Sequence, residues 1–534
     1  MKILVSDPIA EAGLALLRKH AVVDIKTDLS PQELQEIIAA YDALIVRSET
    51  KVTRELLAAA VKLRVIGRAG AGVDNINVEA ATERGVLVLN APAGNTISAA
   101  EHTIAMMLAL ARHIPAADSS LKAGEWQRSR FTGMELYGKT LGVIGAGRIG
   151  GEVVRRAAAL GMNIVVYDPY LAPEKVEKLG AAAVTLPRLL AEADFITLHA
   201  PATAATRHLL GRKEFALSKK GARLINCARG ELVDEKALHD ALVSGQLGGA
   251  ALDVFTTEPA HCSPLCSLPN VIVTPHLGAS TAEAQLNVAV QVAKQVIAAL
   301  QGQPVLHAVN VAGLPAEDFA ELQPYLHLVQ MLGSFYGQLF PGQVKAVAME
   351  YSGEIAAHPV TLLTHTFLSG LFSTFLQDTV NYINAPFMAK KRGIKITESK
   401  TTAAAHFPSL ITARVSHATG THTIAGTVFA NNDCRIVQVN NYDIEIRPSR
   451  FMLVTNHRDV PGVVGRCGLI LTAHGINIAG MQLGRTKSGG QALMVLQVDS
   501  PVPRQALEKI GELDVISTVK FIRLAAPFLT HDIA

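Results

Sequence analysis

The sequence predicts an α/β protein built from two Rossmann-like, doubly wound parallel-sheet domains, followed by an α+β domain and a ferredoxin-like βαββαβ unit. Three observations carry that prediction. Short β-branched runs alternate with helix-length polar segments from the first residue to about residue 280, the pattern of parallel βα units. A G-x-G-x-x-G turn at Gly145, Gly147 and Gly150 lies between an apolar strand and a helix. Beyond Gly313 aromatic-rich helical sequence gives way to Thr/Gly-rich alternation, which reads as antiparallel sheet. At 534 residues the chain is too long for one core, at about 150 residues per domain.

Residues 1–93 offer strands at KILVSD, AVVDIKT, DALIVRS, LRVIGRA and GVLVLNA, with helices such as PQELQEIIAAY and TRELLAAA between them. A long apolar helix, Ile97 to His113, follows the Gly94-Asn95 turn and leads to the strand before Gly145. Further strands stand at FITLHA, ARLINCA, GAALDVF and VIVTPH, so this second unit runs to about residue 280, and a helix from Ala282 to about Gln301 closes it. The first 93 residues would overload one doubly wound sheet, so two domains with a cleft at the carboxyl ends of their strands are expected. Residues 312–449 form the α+β part. From Arg450 the order is strand (FMLVTNH), helix, two strands (INIAGMQLGRT, GGQALMVLQVD), helix and strand (VISTVKFIRL), that of a ferredoxin-like sandwich.

Lys plus Arg (49) nearly balances Asp plus Glu (46), which argues against nucleic acid or an anionic membrane as partner and for small molecules. Five scattered cysteines suit a reducing compartment. His261, Cys262 and Cys266 lack a second ligand pair in register, so no metal is expected. MKILVSDPIA reads as a strand and not a secretory signal. The longest stretch without Asp, Glu, Lys or Arg, Ile355 to Gln377, contains Pro359, two histidines and several hydroxyls; it reads as a packed helix rather than a membrane span. A cytoplasmic protein is expected.

In the glycine turn, Gly145 permits the tight bend, Gly147 lets a pyrophosphate approach, and Gly150 lets helix and strand pack closely, the helix N-terminus facing the phosphates. Asp168 ends the next strand, 18 residues beyond Gly150, where a carboxylate accepts both ribose hydroxyls and repels a 2′-phosphate, so NAD is the expected cofactor. Arg229, Glu258 and His276 each follow a predicted strand on the same side of the sheet. A histidine oriented by a carboxylate suits proton exchange with a hydroxyl at neutral pH, and an arginine holds a carboxylate by two parallel hydrogen bonds. Taken singly, these are an ordinary loop histidine, turn acid and solvated charge; their joint placement on a dinucleotide fold points to catalysis.

The segments LLAEADFITLHAPATAATRHLLG, KKGARLINCARGELVDE and GGAALDVFTTEP with TPHLGAST resemble the signatures of the D-isomer-specific 2-hydroxyacid dehydrogenases. VRSETKVT, GRAGAGVDNINVEAAT, NAPAGNTISAAEHT and GKTLGVIGAGRIG resemble the long-form branch of that family that oxidises 3-phospho-D-glycerate, as do an intervening domain with VNYINAPFMAKKRGIKITESK and an ACT-like end. The resemblance covers the whole chain. It implies a substrate domain of residues 1–93 and 284–311, an NAD domain of 94–283, an intervening domain of 312–449 and an ACT regulatory domain of 450–534.

For the site, the resemblance implies that Arg229 binds and polarises the 2-oxo acid, that His276 exchanges the proton, and that Glu258 pairs with His276. Arg148 and Ile149 then meet the pyrophosphate, Asp168 the ribose, and Ala71, Ala200, Cys227, Asp253 and Gly278 line the cofactor cleft beside Arg229 and His276. Where relatives carry Thr, this chain has Ala200, which removes a side-chain hydrogen bond. Arg47, Arg68 and Arg128 match the positions of phosphate-binding groups, with Asn95 near the carboxylate, and Arg130 rivals Arg128. His457, Asp459 and Asn477 resemble ACT positions that hold an amino acid between two copies, implying L-serine as effector, and the family implies a homotetramer. Two other readings stand beside this one: a reductase of another 2-oxo acid such as glyoxylate, hydroxypyruvate or 2-oxoglutarate, and a non-catalytic NAD-sensing protein.

Overall fold

The computed structural model describes the chain apart from residues 262, 304, 312–315, 377–378, 404–405 and 525–534. Its strands form four sheets. The first contains β1 (Lys2–Val5), β2 (Val22–Ile25), β3 (Ala43–Val46), β4 (Val65–Arg68) and β5 (Leu87–Asn90) in the order β2-β1-β3-β4-β5, all parallel. The second contains β6 (Thr140–Ile144), β7 (Asn163–Tyr167), β8 (Ala182–Ala183), β9 (Phe195–Leu198), β10 (Ala222–Asn226), β11 (Leu247–Leu252) and β12 (Val271–Val273). Its order, β12-β11-β10-β9-β6-β7-β8, is again parallel throughout. The order reverses between β6 and β9, and the crevice at such a reversal is where open parallel sheets bind ligands.

Two long helices join these sheets. Thr96–Arg112 turns Met106, Met107 and Leu110 onto Leu141 and Val143 of the second sheet and stops at His113, whose φ of 54° leaves the helical region. Ala282–Leu300, capped by the Thr281 hydroxyl accepting from the Ala284 N–H, returns to the first sheet. Its Val288, Val292, Val296 and Leu300 recur every four residues, one face of a helix, and bury against Ile3, Val5 and Ile45. The chain therefore crosses twice between the sheets, and both crossings border the cleft.

The third sheet contains β13 (Val344–Gly353), β14 (Lys395–Thr401), β15 (Ser409–His417), β16 (Gly420–Phe429), β17 (Asp433–Val439) and β18 (Tyr442–Ile446), in the order β14-β13-β15-β16-β17-β18. It corrects the expectation of a purely antiparallel sheet after a helical stretch: β13 and β14 arise inside that stretch and pair parallel with each other. The partner that makes β13 a strand is β15, more than sixty positions away in the register Val347↔Val415, so no local pattern announces it. The uncharged stretch from Ile355 contains the helix Thr361–Phe372, whose Leu363, Phe367, Leu368, Leu371 and Phe372 are buried; Gln377, at its end, lies outside the described residues. Among the described residues no helix is long and apolar enough to cross a membrane.

The fourth sheet, β19 (Phe451–Arg458), β20 (Ile478–Arg485), β21 (Gln491–Val498) and β22 (Ile516–Arg523), is antiparallel in the order β20-β21-β19-β22, with helices Val463–Ala473 and Arg504–Gly511 giving the βαββαβ sequence. Side chains alternate between faces along a strand. Phe451 and Leu453 meet those helices, while Met452 and Val454 join the core around helix Ala316–Leu339. The third and fourth sheets thus share one core across residue 449.

Candidate active site

The candidate site begins at the turn after β6. Gly145 has φ 88°, and a Cβ there would stand 2.8 Å from the His199 carbonyl oxygen; one on Gly150 would stand 2.0 Å from the Gly145 carbonyl oxygen. Gly147 faces open space and starts the helix Arg148–Ala159, which has no side-chain cap. Free N–H groups at such an end, with the positive end of the helix dipole, attract a phosphate. Ile149 packs part-buried behind the turn. Burial pushes the His199 imidazole down to about 4, so a neutral ring, hydrogen-bonded to the Thr197 hydroxyl at 3.0 Å, supports the floor. Asp168 accepts from the Ala146 N–H (3.0 Å) and, through its other oxygen, from the Tyr170 N–H (2.9 Å). Each carboxylate oxygen has a second lone pair for a ribose hydroxyl, so these residues fit NAD.

At the end of β10, buried Asn226 pins the following loop: its side chain accepts from the Ala228 N–H (3.1 Å) and donates to the Arg229 carbonyl (2.9 Å). The half-buried Arg229 side chain donates to Asp74 (2.8 Å) and to the Ala228 carbonyl (2.6 Å). At the end of β11, buried Asp253 accepts from the Thr274 hydroxyl (2.6 Å), the Leu277 N–H (2.7 Å) and the Gly278 N–H (2.8 Å). That clamp sets His276, held at φ 55°, with Nδ1 2.8 Å from Glu258 Oε2. Glu258 also accepts from the Phe255 N–H at 3.1 Å. Burial would raise its carboxyl, but the hydrogen bond and charge of His276 outweigh this and hold it below its ordinary value. A carboxylate accepts only, so Nδ1 carries the proton and Nε2 is left with a lone pair.

His102, Cys227 and Asp253 bring ligand-type atoms within 4.8 Å of one another. Burial, with Asp253 nearby, pushes the Cys227 thiol up to about 12, and the Asp253 oxygens already accept the bonds above, with His102 Nε2 3.2 Å away. With Asp253 Oδ1 taking the Thr274 and Leu277 bonds and Oδ2 the Gly278 bond, these residues hold the loop that carries His276 in place. Of the sulfur-rich group noted in the sequence, Cys262 lies outside the described residues.

The first sheet supplies the opposing wall. Buried Asp7 accepts from the backbone of Arg47 (2.6 Å), Glu49 (3.2 Å) and Thr50 (3.0 Å), and Asn75 donates to the Arg47 carbonyl (3.0 Å), so the loop bearing Arg47 is rigid. Arg68 ends β4, and burial first, then the charges of Arg229 and Arg47, lower its guanidinium to about 10. Its Nε is buried with no partner among the described residues, as are Asn95 Oδ1 and Thr96 Oγ1. A Cβ on Gly70 would lie 1.8 Å from Arg68 Nη1, and one on Gly72 1.8 Å from Arg229 Nη2. The loop carrying Ala71, whose carbonyl accepts from Asn90 at 2.6 Å, therefore wraps both guanidinium groups. Sequence reasoning passed over Asp7, Asn75, Asp74, Gly70 and Gly72; only the paired glycines of GRAGAG carried a signal.

Arg128 stands apart from this cluster. It and Arg130 sit on the turn Arg128–Phe131, beside Trp126 in a separate recess. The next segment places Met134 against Arg223 at the start of β10 (3.2 Å), whereas Arg229 follows its end. Ala200 is half-buried just beyond β9, beside the glycine turn. In the fourth sheet His457 is buried, and burial lowers its imidazole. Asp459 accepts from Arg485 (3.1 Å) and the Gly489 N–H (3.3 Å), and Asn477 donates to Asp499 (2.7 Å). The contacts of Asp459 with Gly490 and of Asn477 with Asp499 put Asp459 and Asn477 at opposite ends of the sheet, on the order of 30 Å apart at 3.3 Å per residue.

Residues 104–278 match the family model of the D-isomer specific 2-hydroxyacid dehydrogenase NAD binding domain, 321–440 that of the D-3-phosphoglycerate dehydrogenase intervening domain, and 451–515 that of the ACT domain. The chain is 47% identical over 526 residues to D-3-phosphoglycerate dehydrogenase of Methanocaldococcus jannaschii, covering 98% of this chain and 100% of that one. It is 42% identical over 523 residues to that of Bacillus subtilis, covering 98% and 99%. Among solved structures, a D-lactate dehydrogenase of Aquifex aeolicus complexed with NAD and lactic acid is similar at 30% identity and a TM-score of 0.52, over 57% of this chain and 96% of that one.

Proposed function

With the chain a member of the D-3-phosphoglycerate dehydrogenase family, among the NAD-dependent D-isomer-specific 2-hydroxyacid dehydrogenases, we propose a division of labour in its cleft for the oxidation of 3-phospho-D-glycerate to 3-phosphooxypyruvate, the first step of L-serine biosynthesis. The observations that carry this reading are the convergence of Arg47, Arg68 and Arg229, with Arg229 reaching across to Asp74, and the His276–Glu258 pair. Arg229 takes the substrate carboxylate and polarises C2–O, Arg47 and Arg68 take the phosphate, and the Asn95 side-chain NH2 donates to the carboxylate. Nε2 of His276 accepts the C2 hydroxyl proton, and Glu258 stabilises the imidazolium that results. NAD, when bound, supplies the nicotinamide that accepts the C2 hydride. Arg229 is drawn to Asp74 here, and the substrate carboxylate competes for the same guanidinium.

Residues 1–93 with 284–311 form the substrate domain in this reading, 94–283 the NAD domain, 312–449 the intervening domain and 450–534 the regulatory domain. The separation of Arg128 from the other arginines supports its serving a second copy of the chain within a homotetramer. L-serine is the proposed effector, held by Asp459 of one copy and Asn477 of another, because one copy keeps them apart. We place the enzyme in the cytoplasm.

The test is NADH formation from 3-phospho-D-glycerate, with the product trapped. Arg47→Ala is expected to raise KM for the phosphorylated acid by about tenfold or more, the worth of a charge-assisted contact, and to leave an unphosphorylated 2-hydroxy acid unaffected. Equal effects on both would remove the phosphate assignment.

A further inference from the structure

The helix Thr96–Arg112 borders the cleft and meets the loop of His276 along one side. Ser98, His102 and Met106 stand four residues apart, a single stripe on a helix, and each contacts that loop. The buried Ser98 hydroxyl donates to the Gly278 carbonyl (2.9 Å). His102 Nε2 lies 3.2 Å from Asp253 Oδ1 and 3.2 Å from the Thr274 hydroxyl, and Met106 Sδ lies 3.9 Å from that same hydroxyl. The Thr274 hydrogen is given to Asp253 (2.6 Å) and a carboxylate only accepts, so Nε2 of His102 carries a proton shared between the two oxygens. The Asp253 side chain is fully buried, and His102 is its one ion-pair partner among the described residues. A carboxylate so placed is costly unless it is paired and hydrogen-bonded. Burial would raise the Asp253 carboxyl, but the hydrogen bonds of His102 and Thr274 outweigh this and hold it below its ordinary value. The charged Asp253 in turn accepts from the N–H groups of Leu277 and Gly278, the two residues after His276, while the His276 N–H donates to the Asp253 carbonyl (2.9 Å). With φ 55°, His276 has a backbone conformation that a side chain keeps only where its surroundings hold it.

We propose that His102 is a positioning residue for the proton transfer: by donating from Nε2 to Asp253 it fixes that carboxylate, and Asp253 fixes the loop that aims His276 at the substrate hydroxyl. This role rests on the assignment of His276 as the base. A reacting group must be held to within a fraction of an ångström by neighbours that are themselves locked, and His102 supplies such a lock from a helix rather than from a loop. Asn95, proposed above to meet the substrate carboxylate, is the residue before the same helix, so one rigid element places both a substrate contact and the loop of the base.

The experiment is steady-state NADH formation from 3-phospho-D-glycerate by the full-length protein, with the product trapped, for His102→Leu, His102→Gln and His276→Gln. Leucine fills similar space without a donor, whereas glutamine carries an amide nitrogen where histidine carries Nε2. His102→Leu should lower kcat by about tenfold or more, the cost of a misplaced reacting group, with KM for NAD and for the substrate held within about twofold. His102→Gln should recover most of that loss. A kcat for His102→Leu within about twofold of the wild type overturns the proposal, as does an equal loss in His102→Gln or a loss confined to KM for NAD. His276→Gln separates the two assignments. If it keeps turnover, the base assignment falls and the role of His102 with it; if it loses turnover while His102→Leu does not, only the role of His102 falls. Should His102→Leu melt early, His102→Asn, whose shorter side chain stops short of Asp253, replaces it under the same criteria.

Discussion

Arg68 ends its strand among two like charges, buried deeply enough that its guanidinium falls to about 10, yet it stays charged at neutral pH. A cation with a buried, unpartnered Nε among the described residues is costly to a resting protein, and in the proposed function the substrate phosphate would relieve that cost. The glycines around it are steric requirements: Gly72→Ala would place a methyl 1.8 Å from Arg229 Nη2 and should lower kcat/KM for 3-phospho-D-glycerate by about tenfold or more while NAD affinity, measured by fluorescence titration, is kept. Glu258 is held below its ordinary value of 4.5, so its stabilising bond to His276 is complete above about pH 4.5 and lost only as acid takes the pH through the lowered value. The proposed oxidation needs that carboxylate to steady the imidazolium, so the chemical step should weaken as acid carries the pH below about 4.5; a flat single-turnover profile there would contradict it. Glu258→Gln should cut kcat by roughly 10²-fold, with its loss seen in kcat rather than KM.

The helix Arg148–Ala159 and strand β7 form the element whose geometry was most legible. Gly145, Gly147, Gly150 and Asp168 lie within one βαβ unit, where chain spacing translates directly into geometry. Gly150→Ala, with a methyl 2.0 Å from a carbonyl oxygen, should abolish measurable NAD binding because the helix must move off the strand. Asp168→Ala should narrow the preference for NAD over NADP by about tenfold, read from the two kcat/KM values. The strand β13 shows the opposite case. VKAVAMEYSG is a strand because β15 and β14 flank it, and neither lies within a local window. Likewise the loop of Arg47 owes its rigidity to Asp7, 40 positions earlier.

Across the whole molecule, the proposed effector pair sits at two ends of one sheet, so serine inhibition should belong to an assembly. Asp459→Ala and Asn477→Ala homo-oligomers should each lose the response of NADH formation to L-serine. Mixed oligomers of the two variants should regain part of it, because one of the two sites across each two-fold interface is then built from unaltered residues. Failure of the mixture to respond would place the effector elsewhere. Two parallel sheets and a glycine turn between strand and helix were determined by the sequence itself, because each rests on periodicity or on spacing within one βα unit. Which arginines converge, what fixes their loops, and how Met452 and Val454 come to share a core with helix Ala316–Leu339 were decided only by the tertiary structure. Those features join residues tens to hundreds of positions apart, and the free energy of burial and charge that sets them exists only once the chain has closed on itself.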